Sequence, residues 1–156
     1  MKKLRGILLR LIVSFFWIGY IRPFSATWGS LASGIALYFF WPDVDPLIKA
    51  QSILLVFIFG WVLSYHVEKQ SKTHDPYYIV IDEVVGMMIC TFMLPRIWSI
   101  WIAVFLLFRF FDIAKPWPAS FFDKRKGGFA IMFDDVIAAL YTLAVLKALS
   151  FAMHGY

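Results

Sequence analysis

The sequence predicts an all-α integral membrane protein, with about five membrane-embedded helices and an N-terminal amphipathic helix lying in the interface. Three observations predict it. Hydrophobic residues make up 62% of the 156 and charged residues only 16%, and a mean hydropathy of +0.75 lies well outside the balance of a water-soluble domain. The apolar residues fall into five stretches separated by proline, glycine and acidic turn residues. The basic residues gather at the ends of those stretches, so the net charge of +5 suits anionic lipid and argues against a nucleic-acid partner.

Residues 7–21 form the amphipathic segment, which carries Arg10 and is expected to lie in the interface rather than cross it. The preceding Met1-Lys-Lys-Leu-Arg is read as part of a retained segment, since Arg10 interrupts the apolar run and no small-residue cleavage site follows. The first apolar stretch, 30–41, is short for a span, and is expected to begin nearer Thr27 or to be tilted or partly re-entrant. The second, 47–66, follows the punctuation Pro42-Asp-Val-Asp-Pro46; the third, 79–94, stops at Pro95. The fourth, 97–114, ends before Pro116 and Pro118, and the fifth, 129–151, follows Gly127-Gly128. No sustained strand alternation, internal repeat or flexible linker interrupts this order. A span needs about 20 apolar residues, so no separate soluble domain fits. Residues 1–156 are expected to form one membrane-embedded domain, with 1–26 as an interfacial N-terminal segment. Cys90 lies inside an apolar stretch, where an internal disulfide is impossible, and reads as a small core residue.

If the five helices alternate in direction, one face collects Lys2, Lys3, Arg5, Arg10 and Arg22, then Lys69 and Lys72, then Lys115, Lys124, Arg125 and Lys126. Elsewhere stand Lys49, Arg96 and Lys147. The preference of positive loops for the inside places the rich face in the cytoplasm.

The informative residues are acids within or at the edges of apolar stretches: Asp82 and Glu83, Asp112, and Asp134 with Asp135. A mid-membrane charge costs roughly 2.5–3.5 kcal/mol on insertion scales, so something must gather them. Helix alternation does so: two lie near the start of an outgoing helix, one near the end of a returning helix, and two near the start of the next. All five should fall at similar depth near the cytoplasmic face. Carboxylates brought together near water suit a hard cation such as Mg²⁺, which retains waters and bridges to phosphate. Consecutive acids on a helix point about 100° apart, so each pair is expected to contribute one inner ligand and one orienting residue.

Arg109, Asp112 and Lys115 follow at intervals of three along one helical face. They read either as ion pairs that help the helix end or as a guanidinium and an ammonium suited to phosphate. Asp75-Pro76 reads as an N-cap followed by proline at the first helical position, and His74 as a proton relay to a leaving alcohol or a water-binding interface residue. In Arg22-Pro-Phe-Ser-Ala-Thr-Trp-Gly-Ser30, backbone amides ahead of a helix could receive a phosphate, while Thr27 or Ser30 also reads as an ordinary N-cap. Met87 and Met88 read as packing residues.

Three blocks together resemble the phosphatidylglycerophosphatase A family: Thr27-Trp-Gly-Ser-Leu31; His74-Asp-Pro-Tyr-Tyr-Ile-Val-Ile-Asp-Glu-Val-Val-Gly-Met87; and Phe108-Arg-Phe-Phe-Asp-Ile-Ala-Lys-Pro-Trp-Pro118, continuing through Phe122-Asp123 and Gly127-Gly-Phe-Ala-Ile-Met-Phe-Asp-Asp135. The family usually has Pro-Gly where this chain has Ser25-Ala26, and commonly a glycine at Ala130. The resemblance implies a multi-pass bacterial inner-membrane enzyme that uses Mg²⁺ to remove the terminal phosphate of phosphatidylglycerophosphate. It places Asp82, Glu83, Asp112, Lys115, Asp134 and Asp135 on the family's polar motif positions. The expected site then comprises His74, Asp75, Asp82, Glu83 and Asp112 as catalytic residues, Thr27, Ser30, Arg109 and Lys115 around the phosphate, and Asp82, Glu83, Asp134 and Asp135 around the metal. The acyl chains are expected to stay in the bilayer.

Two rival readings compete with this one. A CDP-alcohol phosphatidyltransferase also collects acids around a divalent metal, but its Asp-Gly-x-x-Ala-Arg signature is missing. A small cation transporter would spread acids through the membrane depth, whereas these gather at one level beside phosphate-suited bases.

Overall fold

A computed structural model describes residues 2–154 apart from Pro42, Lys72, His74 and Met93, and among the described residues it contains helices and no strand. The order is α1 (Lys2–Val13), a 3₁₀ turn (Ile18–Tyr20), α2 (Ser25–Phe40), α3 (Pro46–Ser71), α4 (Ile81–Cys90), α5 (Trp98–Ala114), α6 (Ala119–Asp123) and α7 (Gly128–His154). Two of these, α3 and the Gly128–Ala152 part of α7, are long and apolar enough to cross a membrane. At 1.5 Å per residue α3 is about 39 Å long and α4 only about 15 Å. The third predicted stretch is therefore not a full span.

Both ends of α4 have a physical reason. The residues before it give their backbone groups to other elements or to a local turn: Val80 N–H donates to the Val13 carbonyl at 2.9 Å and Ile79 N–H to that of Pro76 at 2.8 Å, while Ser25 Oγ donates to the Tyr77 carbonyl at 2.6 Å. At the other end the Thr91 hydroxyl donates back to Met87 O at 2.7 Å. Lys49 Nζ, buried at the start of α3, reaches the Phe92 carbonyl at 3.4 Å. The threonine thus satisfies a carbonyl that the helix end leaves open, and the lysine one in the turn beyond it. The Asp-Pro cap expected at Asp75-Pro76 is thus overturned, because Asp75 has φ of 43° and the helix starts beyond Val80. The same dipeptide does cap α3, where Asp45 Oδ1 accepts from Leu47 N–H at 2.8 Å and Pro46 opens the helix.

The first apolar stretch begins earlier than 30, and Thr27 and Ser30 lie inside α2 rather than at its cap, which is Phe24 at φ 66°. Ser30 Oγ donates to Ala26 O at 2.9 Å within the helix. The N-terminal segment is helical only to Val13, then turns through Phe15, Phe16 and Trp17 at positive φ.

α4 is the axis of the bundle. It is buried along nearly its whole length and packs against α2, α3, α5 and α7. Its neighbours run in alternating directions: Tyr65 of α3 lies at Gly128 of α7, and α2 meets α5 with Ser30 at Arg109 and Tyr38 at Trp98. Apolar side chains that a soluble protein would hide point outward instead, among them Leu54, Leu55 and Phe59 on α3 and Ile102, Leu106 and Phe110 along one face of α5.

The tightest crossing joins α3 and α7. A Cβ on Gly128 would lie 2.3 Å from the Trp61 carbonyl oxygen and 2.4 Å from Tyr65 N, which lets two backbones touch as small residues do in membrane bundles. Gly128→Ala is expected to destabilise the protein by about 1–3 kcal/mol, in the range of overpacked cores. Thermal unfolding in detergent measures it, and an unchanged transition temperature would contradict this close approach.

Candidate active site

The acids expected to converge do so at one end of the bundle. α4 places Asp82 and Glu83 in its first turn, α5 brings Asp112 near its end, and α7 brings Asp134 and Asp135 two turns from its start. Carboxylate oxygens of Asp82, Glu83 and Asp135 all lie within 4.8 Å of one another, and all three residues are buried. Both members of the α4 pair thus belong to the cluster. Asp82 and Glu83 lie within hydrogen-bonding reach of each other, as do Asp135 and Asp112. Asp75 stands close enough for its charge to act on Asp82 and Asp134.

Asp134 is set apart from this triad. Its Oδ2 accepts from Lys115 Nζ at 2.6 Å, and the same ammonium donates to Asp123 Oδ1 at 2.5 Å. The four-acid set expected around a metal resolves into three plus one. Lys115 owes its position to the end of α5, where it adopts the left-handed conformation at φ 41° and turns the chain into α6. Burial pushes its ammonium down, but the carboxylates of Asp134 and Asp123 outweigh that and hold it above its ordinary value.

Arg109 lies close enough to the triad for its charge to act on Glu83. Its Nη1 donates to Asp112 Oδ2 at 2.7 Å and to Ser30 Oγ at 3.3 Å, and its buried Nε has no hydrogen-bond partner among the described residues. Ser30 therefore enters the site as a side-chain acceptor rather than through its backbone amide. Thr27 lies one turn earlier on α2. His74 lies outside the described residues.

The donor set fits a hard divalent cation. Three carboxylates at this separation repel one another by about 3 kcal/mol per pair at an effective dielectric of about 20. Two of their buried oxygens, Glu83 Oε2 and Asp135 Oδ2, have no hydrogen-bond partner among the described residues. Oxygen-only ligands of this kind select magnesium or calcium over softer metals. Asp123 is the residue that reading the sequence missed. The signal available was its presence in the last block of the resemblance, eight residues beyond the lysine it binds.

The family model described as Phosphatidylglycerophosphatase A matches residues 11–150. The chain belongs to that family. Among phosphatidylglycerophosphatase A relatives, the protein so named in Haemophilus influenzae is 37% identical over 147 residues, 93% of this chain and 90% of its own length. The one in Escherichia coli is 34% identical over 122 residues, 77% of this chain and 70% of its own length. A protein of Bacteroides thetaiotaomicron, provisionally named a phosphatidylinositol-3-phosphatase, is 34% identical over 132 residues, 80% of this chain and 82% of its own length. No solved structure matches the chain. Membership in the phosphatidylglycerophosphatase A family agrees with the resemblance of the three sequence blocks, and all three reach the same end of the bundle: Ser30 from the first, Asp82 and Glu83 from the second, Arg109, Asp112, Lys115 and Asp135 from the third.

Proposed function

We propose that this chain hydrolyses the terminal phosphomonoester of phosphatidylglycerophosphate to phosphatidylglycerol and inorganic phosphate, with Mg²⁺ held by Asp82, Glu83 and Asp135. One observation carries the reading beyond family membership. A triad of buried carboxylates within 4.8 Å of one another adjoins Asp112 and Asp134, which hold a guanidinium and an ammonium, and this is the grouping that a metal-assisted phosphoryl transfer needs.

Mg²⁺ bound there would supply Lewis-acid polarisation of the phosphoryl group and a fixed position for the attacking water. The chain's own residues do the rest. Arg109 presents its unpaired Nε to a phosphate oxygen, and Asp112 and Ser30 fix the plane of its guanidinium. Lys115, held by Asp134 and Asp123, keeps one N–H for a second oxygen. Asp75 and His74 are assigned to the protons of the water and the leaving alcohol. Thr27 takes its place at the edge of the phosphate subsite.

The site belongs to a single membrane-embedded domain, residues 1–156, in the bacterial inner membrane. Its helices cross or enter the bilayer with residues 1–26 in the interface and the acid end at the cytoplasmic face, as the excess of Lys and Arg at that end supports. Nucleic acid has no part in this reading.

The test is phosphate release by the purified protein in detergent from phosphatidylglycerophosphate, phosphatidic acid and phosphatidylinositol 3-phosphate, each with Mg²⁺ or with a chelator. We expect release from phosphatidylglycerophosphate to be about tenfold or more the fastest in kcat/KM, and to stop on chelation. No release from it would sink the reading, and undiminished release in the chelator would remove the metal. Faster release from the inositol lipid would move the substrate toward the name given to the Bacteroides relative. Turnover in detergent, where no gradient exists, also separates an enzyme from a transporter.

A further inference from the structure

We propose that the cleft between α2 and α5 holds an acyl chain of the lipid substrate, and so forms the lateral entrance through which the phosphomonoester reaches the acid end of the bundle. This rests on the lipid-phosphatase reading above and names the side from which the lipid comes.

The cleft is bounded at both ends by contacts between the same two helices. At the acid end Arg109 donates to Ser30; at the far end Tyr38 stacks on Trp98 with ring centroids 3.9 Å apart. Between them the helices part, and Leu31, Gly34 and Ile35 face Ile102 and Phe105 over a floor made by Met87. The surface inside is almost wholly apolar. Its lips are open to the outside, since Ile35 is 45% and Ile102 55% exposed.

Helix periodicity ties this apolar cleft to the site. Residues 98, 102, 105, 109 and 112 fall on one face of α5, so the wall that begins at Trp98 ends on Arg109 and Asp112. On α4, Met87 lies one turn beyond Glu83 on the same face. A chain lying in the cleft therefore has its polar end directed at a guanidinium whose Nε has no partner among the described residues, near the carboxylate triad. Apolar along about 10 Å of helix and cationic at its end, the cleft complements a lipid that carries a phosphate.

A second groove competes for this role. It lies between α3 and α7 over Val85 and Ile89 of α4, and at 280 Å³ it is larger than the 70 Å³ of the α2–α5 cleft. Its α7 lining, Phe133 and Val136, however, lies on a face turned roughly 130° from Asp134 and Asp135, and no basic side chain is among the residues that line it. Continuity with the phosphate-suited base decides between them, rather than volume.

The test uses the full-length protein in phosphatidylcholine nanodiscs with a phosphatidic acid analogue carrying a diazirine halfway along one acyl chain, irradiated in the presence of chelator. Label is expected on the α2 and α5 segments around Ile35 and Ile102, and to be displaced by unlabelled phosphatidic acid but not by phosphatidylcholine. Displaceable label on α3 and α7, or label spread over the surface without displacement, would overturn the proposal. Because the pattern is read without turnover, it stands or falls separately from the assignment of the reaction. A kinetic arm uses Ile35→Trp and Ile102→Trp, which fill the cleft from exposed positions. Each is expected to lower kcat/KM for long-chain phosphatidylglycerophosphate about tenfold and to leave the dihexanoyl form within about twofold. Leu54→Trp, in the competing groove and 60% exposed, should change neither. Equal losses on both substrates, or a loss with Leu54→Trp alone, would count against the α2–α5 entrance.

Discussion

Asp135→Asn is expected to lower phosphate release by about 10²–10³-fold, the scale on which removal of one preorganised electrostatic group is felt, while the protein still folds. The substitution keeps the side chain's shape and removes the charge from one of three carboxylates that lie within 4.8 Å of one another. It also lessens their mutual repulsion, so thermal stability in chelator should hold or rise. Loss of activity combined with undiminished stability is the outcome that distinguishes a ligand from a structural acid. Isothermal titration of Mg²⁺ supplies a second readout: the wild-type protein should bind it and the variant bind at least about tenfold more weakly. Full activity in Asp135→Asn would end the metal role of the triad. Asp82→Asn should behave in the same way.

Lys115→Met should cost activity and stability together. Its side chain is 26% exposed and that of Asp134 8%, so the change leaves a nearly buried carboxylate without its cation. Breaking a buried pair costs about 3–5 kcal/mol, and the partial exposure of the lysine reduces this to about 2–4 kcal/mol. The double variant Lys115→Met/Asp134→Asn removes the stranded charge and should recover much of that stability without recovering activity. Chemical denaturation in detergent measures the first quantity and phosphate release the second. A double variant no more stable than Lys115→Met would mean that the lysine does not hold Asp134. Since Asp134 and Asp123 raise the ammonium above its ordinary value, Lys115 stays charged through about pH 9, and an activity change below that pH has another source.

Much of this arrangement was legible in the sequence because it follows from periodicity and punctuation. α3, α5 and α7 begin and end within a few residues of their apolar stretches, and their alternation alone brings the acids to one end. What was not legible depends on partners distant in the chain. Asp45-Pro46 and Asp75-Pro76 are the same dipeptide, yet only the first caps a helix. After Pro76 the backbone is taken up by Val13 and Ser25, which no local pattern reveals. The choice between Asp134 and Asp135 is of the same kind: both are buried, and it is Lys115, arriving from a turn at positive φ, that separates them. Asp123 went unnoticed because a lone acid in a basic loop reads as a solvated charge until the chain folds it onto that lysine.

The shortness of α4 bears on how the protein is made. Ten residues carrying two acids are a poor substrate for the insertion machinery, which retains segments of about 20 apolar residues. The segment's early companion, α3, can hold the membrane as soon as it leaves the ribosome. α4 cannot, because its acids meet Arg109 of α5 and Asp135 of α7 only once those helices have been made. The acid cluster is therefore expected to close only after synthesis has passed the start of α7. A nascent chain arrested before Asp135 should expose residues 81–90 to water-soluble modifying reagents, and a chain released after α7 should protect them.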